Sequence, residues 1–150
     1  LIQILDNMKR FFTFLAGICF FTLIASADDR PVTYEQLPAP AKTFINEYYS
    51  GVKVSFVSKD DDFVRPDYSV MLSNGVKLEF RSSGALKSVS CSKGIDASII
   101  PEPIRDYVNL HYPGTGYVEY EVGRRTYEVV LANRLELKFN SNFNLIEIDD

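Results

Sequence analysis

The stretch Tyr127–Ile148, YEVVLANRLELKFNSNFNLIEI, has an earlier counterpart in the same chain. Tyr68–Val89 reads YSVMLSNGVKLEFRSSGALKSV, and the two segments align without a gap at a constant offset of 59 residues. The residues that recur are Tyr68, Val70, Leu72, Asn74, Leu78, Phe80 and Leu86, which return as Tyr127, Val129, Leu131, Asn133, Leu137, Phe139 and Leu145. Self-similarity at a fixed spacing indicates that one supersecondary unit is used twice.

Alternation of apolar and polar residues predicts four strands in each copy. In the first copy they lie at 52–56, 68–72, 76–80 and 86–90, and in the second at 118–122, 127–131, 135–139 and 145–148. Asn74-Gly75 predicts a two-residue hairpin turn in which both residues have positive φ, and Asn133-Arg134 is a weaker version of it. Because the connections are short, the strands of each copy form an antiparallel meander.

A proline-containing segment before each meander predicts a short helix-turn-helix. Thr33 and Asp96 are suitable N-caps for single helical turns that end before Pro38 and Pro101. A second helix of about 10 residues then begins with Pro40 or Pro103 at its first position. The apolar stripes of these helices contain Phe44, Ile45 and Tyr48 in the first copy, and Ile104, Tyr107, Val108 and His111 in the second.

These patterns predict an α+β fold made of two tandem repeats, about residues 31–92 and 93–150. Each repeat is a short helix-turn-helix followed by a four-stranded antiparallel meander, with the helices on one face of the sheet. The two repeats form one domain over residues 28–150, because each repeat alone has too few residues to bury a sufficient core. The other sheet face, which we call the outer face, is expected to remain open to solvent.

The N-terminal part of the chain has the pattern of a secretory signal peptide. Met8-Lys9-Arg10 precedes an apolar run, Phe11–Ala25, and a cleavage site of small residues, Ala25-Ser26-Ala27. We expect residues 1–7 to lie upstream of the true start and residues 1–27 to be absent from a mature protein that is periplasmic or secreted. The run is shorter than the roughly 20 residues of a membrane span. Bulky Ile18 before Cys19 argues against lipidation at that cysteine.

The charge of the mature chain bears on the class of partner. Removing residues 1–27 changes the formal net charge from −4 to −5. An acidic chain without a basic stripe does not have the features of a nucleic-acid-binding protein. Cys91 is the one cysteine left after cleavage, so it is a free thiol or an intermolecular partner, and its apolar neighbours favour a buried position.

Residues that could perform chemistry are few. His111 is the only histidine, no motif supplies it with a nucleophile, and its place on the helix stripe predicts a packed or half-buried side chain. One cysteine and one histidine do not fit zinc-site spacings. Asp60-Asp61-Asp62 lacks the ligand alternation of a calcium loop, and Gly75 and Gly84 are turn residues rather than parts of a phosphate loop. The sequence therefore predicts no catalytic residues, no metal and no cofactor.

The outer face is the remaining candidate site. Its predicted charged residues are Lys53, Lys77, Glu79 and Arg81 in the first repeat, and Glu119, Glu121, Glu128, Glu136 and Lys138 in the second. The first group has a net charge of +2 and the second of −3. Met71, Val57, Val130 and Tyr117 are predicted to add apolar contacts. Such a surface is either a set of ordinary cross-strand pairs that keeps the sheet soluble or a polarised recognition surface.

The two copies also resemble a known family. The residues that carry the likeness are Leu37-Pro38, Phe44-Ile45, Tyr48-Tyr49, Tyr68, Val70, Leu72, Asn74-Gly75, Leu78 and Phe80, together with Ile100-Pro101, Tyr107-Val108, Tyr112, Tyr127, Val129, Leu131, Asn133, Leu137 and Phe139. They resemble the PepSY-like family of small exported proteins, common in Bacteroidetes. Arg81-Ser82-Ser83-Gly84 and Asn140-Ser141-Asn142-Phe143 replace that family's usual Asp-x-x-Gly turn, so no ligand role follows for these turns.

The resemblance implies a fold similar to that of the β-lactamase inhibitor protein, in which two helix-plus-four-strand units form a curved surface. It suggests a non-catalytic protein-binding or inhibitor-like module, and it supplies no catalytic residues. A fold does not by itself carry a function. A periplasmic peptide or small-molecule carrier therefore remains the alternative, and the expected partner is another exported protein or a peptide.

Overall fold

The computed structural model of the protein describes residues 29–61 and 67–150. The predicted signal peptide, including Cys19, and Asp62 lie outside these residues. The described chain is α+β, with two α-helices, two single 3₁₀ turns and nine strands. In chain order the elements are β1 (Asp29–Pro31), a 3₁₀ turn (Tyr34–Gln36), α1 (Ala39–Tyr48), β2 (Val54–Asp60), β3 (Tyr68–Leu72), β4 (Lys77–Phe80), β5 (Leu86–Ser90), a 3₁₀ turn (Ala97–Ile99), α2 (Glu102–His111), β6 (Tyr117–Val122), β7 (Thr126–Leu131), β8 (Glu136–Asn140) and β9 (Leu145–Asp149).

The two 3₁₀ turns follow their predicted N-caps, and each α-helix begins one residue before the proline that was predicted to open it. The Asp96 carboxylate accepts a hydrogen bond from the Ser98 N–H at 2.9 Å, which caps the second 3₁₀ turn. The Thr33 N–H donates to the side-chain oxygen of Gln36 at 2.9 Å. Pro40 and Pro103 occupy the second positions of α1 and α2. A proline is tolerated there because the first N–H groups of a helix have no partner within the helix.

All nine strands form one antiparallel sheet in simple sequence order, from β1 to β9. β2–β5 follow α1 and β6–β9 follow α2, an arrangement consistent with two repeats. Strand β5 pairs with β6, so the sheet continues across the repeat boundary. One row of aligned residues on the inner face runs across eight strands, in the order Val57, Val70, Leu78, Val89, Tyr120, Val129, Leu137 and Ile148.

Both helices pack on this inner face and complete one hydrophobic core. The ring of Phe44 on α1 meets the ring of Phe80 on β4, with centroids 5.7 Å apart and planes at 73°. Ala41 and Ile45 of α1 and Ile104 and Val108 of α2 are buried in the same cluster as the strand residues. Helices of ten residues are not stable alone, so this contact is what makes them persist.

Two β-bulges correct the predicted faces of β2 and β6. The pairing of β2 with β3 shifts between Val54 and Phe56, and the pairing of β6 with β7 shifts between Tyr117 and Glu119. An extra residue at a bulge breaks the strict alternation of faces. The prediction that Val57 and Tyr117 lie on the outer face is therefore wrong, because both are buried in the core. Phe56, which strict alternation with Val52 and Val54 would place on the inner face, is 51% exposed.

The predicted two-residue hairpin at Asn74-Gly75 is also wrong in detail. The Leu72 carbonyl accepts from the Gly75 N–H, and the Leu72 N–H donates to the Val76 carbonyl, so three residues form the loop. Of these three only Gly75 has a positive φ, of 87°. This is a three-residue hairpin loop that ends in one left-handed residue. The same hydrogen bonds recur in the turns that end at Gly84, Arg134 and Phe143, the last two at φ 75° and 61°.

Gly84 has a second reason to be glycine. A Cβ placed on it would lie 2.8 Å from the Cβ of Pro38 and 3.0 Å from the Cδ of Pro40. The turn between β4 and β5 therefore touches the start of α1 directly. No such contact surrounds Gly75, where a Cβ would meet nothing within 4 Å.

Candidate outer-face site

Two transverse rows of side-chain positions define the outer face, opposite the helices. The first row contains Ser58, Ser69, Glu79, Ser88, Glu121, Glu128, Lys138 and Glu147, each aligned with the next across a strand pair. The second row contains Phe56, Met71, Lys77, Ser90, Glu119, Val130, Glu136 and Asp149. We call the part on β2–β5 the N-terminal half and the part on β6–β9 the C-terminal half.

Most of the predicted site residues lie in these rows. They are Met71, Lys77, Glu79, Glu119, Glu121, Glu128, Glu136 and Lys138, with the apolar Val130. Lys53 is exposed but precedes β2, outside the paired strands. Arg81 follows β4, and its guanidinium donates a hydrogen bond to the backbone carbonyl of Val122. Tyr117 is excluded from the face by the bulge in β6.

Sequence reasoning missed several members of the face. Lys87 reaches Asp67 and Glu79 because β5 carries an extra residue where its pairing with β4 shifts. Glu147 and Asp149 belong to β9 and end the two rows. The alternation of apolar and acidic residues in the segment LIEID could have predicted that both side chains lie on the outer face. The place of Lys87 was not readable from the sequence, because a bulge depends on the register of the partner strand.

Ion pairs neutralise the N-terminal half. The Lys77 ammonium lies 2.6 Å from the Glu79 carboxylate, and Lys87 lies 2.8 Å from Asp67 and 3.7 Å from Glu79. Burial alone would raise the pKa of Glu79, but the hydrogen bond from Lys77 and the charges of Lys77 and Lys87 outweigh it and lower the pKa. The hydrogen bond to Asp67 raises the pKa of Lys87. The charged residues of the two rows in this half, Lys77 and Glu79, thus pair with each other, and Lys87 adds a second cation beside Glu79.

The C-terminal half has the opposite character. Its two rows hold six carboxylates, from Glu119, Glu121, Glu128, Glu136, Glu147 and Asp149, and one cation, Lys138. Lys138 lies 2.5 Å from Glu128 and 3.8 Å from Glu147. Among the described residues Glu119 and Glu121 form no ion pair. Coulomb repulsion between neighbouring carboxylates therefore acts across this half.

The pKa values report this crowding. Burial raises the pKa of Glu119, and the nearby carboxylates of Glu121 and Glu136 raise it further. Burial also raises the pKa of Glu136, and the charges of Glu128 and Asp149 act in the same direction. A raised carboxyl pKa means that the folded protein disfavours the charged form. At neutral pH the negative charges of Glu119 and Glu136 are therefore held at a cost to stability.

Shallow depressions rather than deep pockets mark the face. One of about 200 Å³ is lined in part by Asp67, Lys77, Glu79 and Lys87. Another of about 230 Å³ is lined by Glu119, Glu121, Glu128, Val130 and Glu136. Small-molecule sites are commonly about 300–1,000 Å³ and mostly apolar. Within residues 29–61 and 67–150, no group of three or more His, Cys, Asp or Glu side chains is arranged to hold a metal ion.

His111 and Cys91, which were also considered for chemistry, lie away from the outer face. His111 is exposed at the end of α2, which corrects the prediction of a packed or half-buried side chain. Its ring stacks obliquely on Tyr107, with centroids 4.3 Å apart. Cys91 is buried, as the sequence indicated, and is not in a disulfide. Asp61 pairs with Arg30 at 3.4 Å.

Comparison with known proteins shows what the chain is similar to. A family model described as "Putative beta-lactamase-inhibitor-like, PepSY-like" matches residues 25–88 and 66–147. No curated protein matches. Among solved structures, a "putative calcium-regulated periplasmic protein" from Bacteroides thetaiotaomicron is 38% identical with a TM-score of 0.80, and the alignment covers 83% of this chain and 99% of that chain.

Two proteins from Bacteroides vulgatus ATCC 8482 are also similar. One, described as a periplasmic protein from the DUF2874 family, is 35% identical with a TM-score of 0.79, over 83% of this chain and 99% of that chain. The other, a periplasmic protein of unknown function, is 30% identical with a TM-score of 0.76, over 81% and 99%. In the described part of this chain, no helix has the length and hydropathy needed to cross a bilayer.

Proposed function

The chain belongs to the PepSY-like family of β-lactamase-inhibitor-like proteins, and from this premise we propose that it is an exported, non-catalytic module that binds another protein through its outer face. In this proposal each repeat, a helix-turn-helix followed by four strands, supplies one half of the binding face. The similar Bacteroides proteins are described as periplasmic, which supports export to the periplasm.

The observation that carries the proposal is the unequal charge of the two halves. Ion pairs balance Lys77, Glu79 and Lys87 in the N-terminal half, whereas Glu119 and Glu121 in the C-terminal half face other carboxylates. Repulsion of this kind opposes folding and is not needed to keep a sheet soluble. A partner with positive charge would remove the repulsion on binding, and complementary charge would also speed its association. The crowding of carboxylates is therefore accounted for by recognition.

Two other classes of function have less support. The carrier alternative needs a cavity that encloses a ligand, and the depressions on the outer face are small and polar. A hydrolase needs a nucleophile within reach of a base. His111, exposed beside Tyr107 and Tyr112, has no such group among its ring contacts. Calcium regulation is said of one similar protein, and it is not part of the proposal because the described residues offer no cluster of ligands.

A capture experiment with matched variants tests the proposal. The mature protein is immobilised, exposed to periplasmic extract, and compared with the double variants Glu119→Gln/Glu121→Gln and Glu47→Gln/Glu102→Gln. Both variants remove two carboxylates, but Glu47 and Glu102 are exposed on the helices, on the other side of the sheet. We expect a defined protein to be retained by the wild type and the helix variant and to be lost by the outer-face variant. Equal retention by all three would overturn the proposal.

A further inference from the structure

The two edges of the sheet are built differently. β1 has three residues, Asp29–Pro31, and combines an edge proline with two charged residues, one of which pairs with Asp61. Short length and proline are usual protections of an edge strand against pairing with another chain. β9, Leu145–Asp149, is longer and contains no proline. Among the described residues it pairs with β8 alone, so the backbone groups on its other side face outward.

The inner side of β9 is incompletely covered. Ile148 ends the core row in which Leu137 precedes it, yet Ile148 is 46% exposed whereas Leu137 is fully buried. Ile146 is the extra residue of β9 where its pairing with β8 shifts, next to Glu147, and it is 53% exposed. The difference within the row follows from position, because Leu137 has a strand on each side and Ile148 has one. An added strand would place apolar side chains next to Ile148 and complete the row.

The outer side of β9 is acidic. Glu147 and Asp149 end the two outer-face rows, beside Lys138 and Glu136 respectively. The Lys138 ammonium forms its short ion pair with Glu128, and its distance to the Glu147 carboxylate is longer, at 3.8 Å. A strand paired with β9 would carry its alternate side chains on this face. Lysine or arginine at those positions would meet Glu147 and Asp149, as opposite charges do in stabilising cross-strand pairs.

We propose that β9 is a docking edge for an extended segment of a partner protein in which lysine or arginine alternates with apolar residues. The segment adds as a tenth strand, with its cations beside Glu147 and Asp149 and its apolar residues beside Ile148. Antiparallel pairing with a second copy of this chain, centred on Glu147, would set that carboxylate against its own counterpart, so a segment with cations at these positions fits the edge better. The inference rests on the proposed function, and it names the kind of segment that the partner contributes.

The first test uses two synthetic peptides of equal composition. One alternates lysine and valine, and the other has the same residues in a lysine block followed by a valine block. We expect the alternating peptide to bind and to slow hydrogen exchange at the amides of β9, because backbone pairing supplies the affinity. The block peptide has the same charge but cannot place it on one face. Equal binding of both peptides would show simple charge attraction and would overturn the inference.

A second test places a lysine on the edge. Ile148→Lys and, separately, Ile146→Lys should each lower the affinity for the alternating peptide by about an order of magnitude, a loss of about 1.4 kcal/mol in binding free energy. Leu110→Lys is the matched control, since Leu110 is an apolar residue of α2 that is 76% exposed. Thermal unfolding of each variant checks that the fold is intact. Having two edge variants keeps the test decisive if one of them fails to fold.

The outcomes separate this inference from the proposed function. If Glu119→Gln/Glu121→Gln loses the captured protein while Ile148→Lys retains it, the outer face binds the partner and the edge does not, so the inference alone fails. If wild-type protein sediments as a dimer that Ile148→Lys dissociates, a second copy occupies the edge and the inference is wrong. If both variants lose the captured protein, Leu110→Lys retains it and the alternating peptide displaces it from the wild type, the inference is supported.

Discussion

The ring of Tyr107 meets the ring of Phe139 edge to face, with centroids 5.5 Å apart and planes at 80°. Phe44 and Phe80 make the equivalent contact between α1 and β4, at 5.7 Å and 73°. In each case one aromatic residue of a ten-residue helix packs against a fully buried phenylalanine of the sheet. These two contacts join the helices to the sheet at corresponding places, and they leave the opposite face free of helices.

The first prediction concerns these phenylalanines. Phe80→Ala and Phe139→Ala should each lower the free energy of unfolding by about 3–5 kcal/mol, because each leaves a cavity and removes the ring that a helix residue packs against. Leu110→Ala, at a position that is 76% exposed, should change it by less than about 0.5 kcal/mol. Urea unfolding measures all three. A small effect at Phe139 would mean that α2 does not depend on this contact.

The second prediction concerns cooperativity. Because β5 pairs with β6 and the inner row of apolar residues is continuous across that pair, the two helix-and-strand units share one core. We expect a single calorimetric transition, which Phe80→Ala and Phe139→Ala both move to lower temperature. Two resolved transitions, each moved by only one of the substitutions, would show that the units unfold separately.

The third prediction separates two costs of replacing a turn glycine. Gly75→Ala should destabilise by about 1 kcal/mol, because alanine is strained at φ 87° although there is space for its Cβ. Gly84→Ala should cost about 1–3 kcal/mol more, since its Cβ also overlaps Pro38. The unfolding free energies of the two variants give the comparison. Equal losses would indicate that the turn moves away from α1 without cost.

The fourth prediction concerns pH. The pKa of Glu119 is raised by burial and by Glu121 and Glu136, so its ionisation destabilises the fold as pH rises through the folded-state pKa. Glu119→Gln should therefore be more stable than wild type near pH 7. The difference should vanish below the ordinary glutamate pKa of about 4.3, where Glu119 is protonated in both states. Urea unfolding across this pH range measures the difference.

Glu79→Gln is the control of opposite sign. Burial would raise the pKa of Glu79, but Lys77 and Lys87 lower it, so its stabilising effect is present above the ordinary glutamate pKa and is lost as pH falls through the folded-state pKa. Glu79→Gln should therefore be less stable than wild type near neutrality. If both substitutions changed stability in the same direction, the two halves of the outer face would not differ in the way described.

The fifth prediction concerns association with the captured partner. Glu119→Lys/Glu121→Lys should slow association more than it speeds dissociation, and it should make the association rate less sensitive to salt. Replacing Arg81 by glutamate would not test charge alone, because the Arg81 guanidinium also donates a hydrogen bond to the Val122 carbonyl. His111→Gln should leave capture unchanged, since His111 lies at the end of α2. If the Glu119→Lys/Glu121→Lys protein associates at an unchanged rate, the carboxylates of the outer face serve only to keep the sheet soluble.

Much of the fold was readable from the sequence by itself. The strands around Tyr68, Leu78, Tyr127 and Leu137, the two helices after Pro38 and Pro101, and the burial of Phe80 and Phe139 all follow from local patterns. Alternation and helical spacing are properties of a segment and its nearest neighbours in the chain, so they can be predicted from the local sequence. Most of the outer-face residues were predicted for the same reason.

Only the tertiary structure decided the rest. The bulges that bury Val57 and Tyr117 and expose Phe56 depend on how β2 and β6 align with their partners, which alternation within one strand cannot report. The crowding of Glu119 with Glu136, and the unequal edges at β1 and β9, arise from strand order and register across the whole sheet. The sequence by itself thus determined which residues form each element and which way most of them face. The contacts between elements, which come from residues far apart in the chain, determined where charge remains unpaired and where a strand remains open.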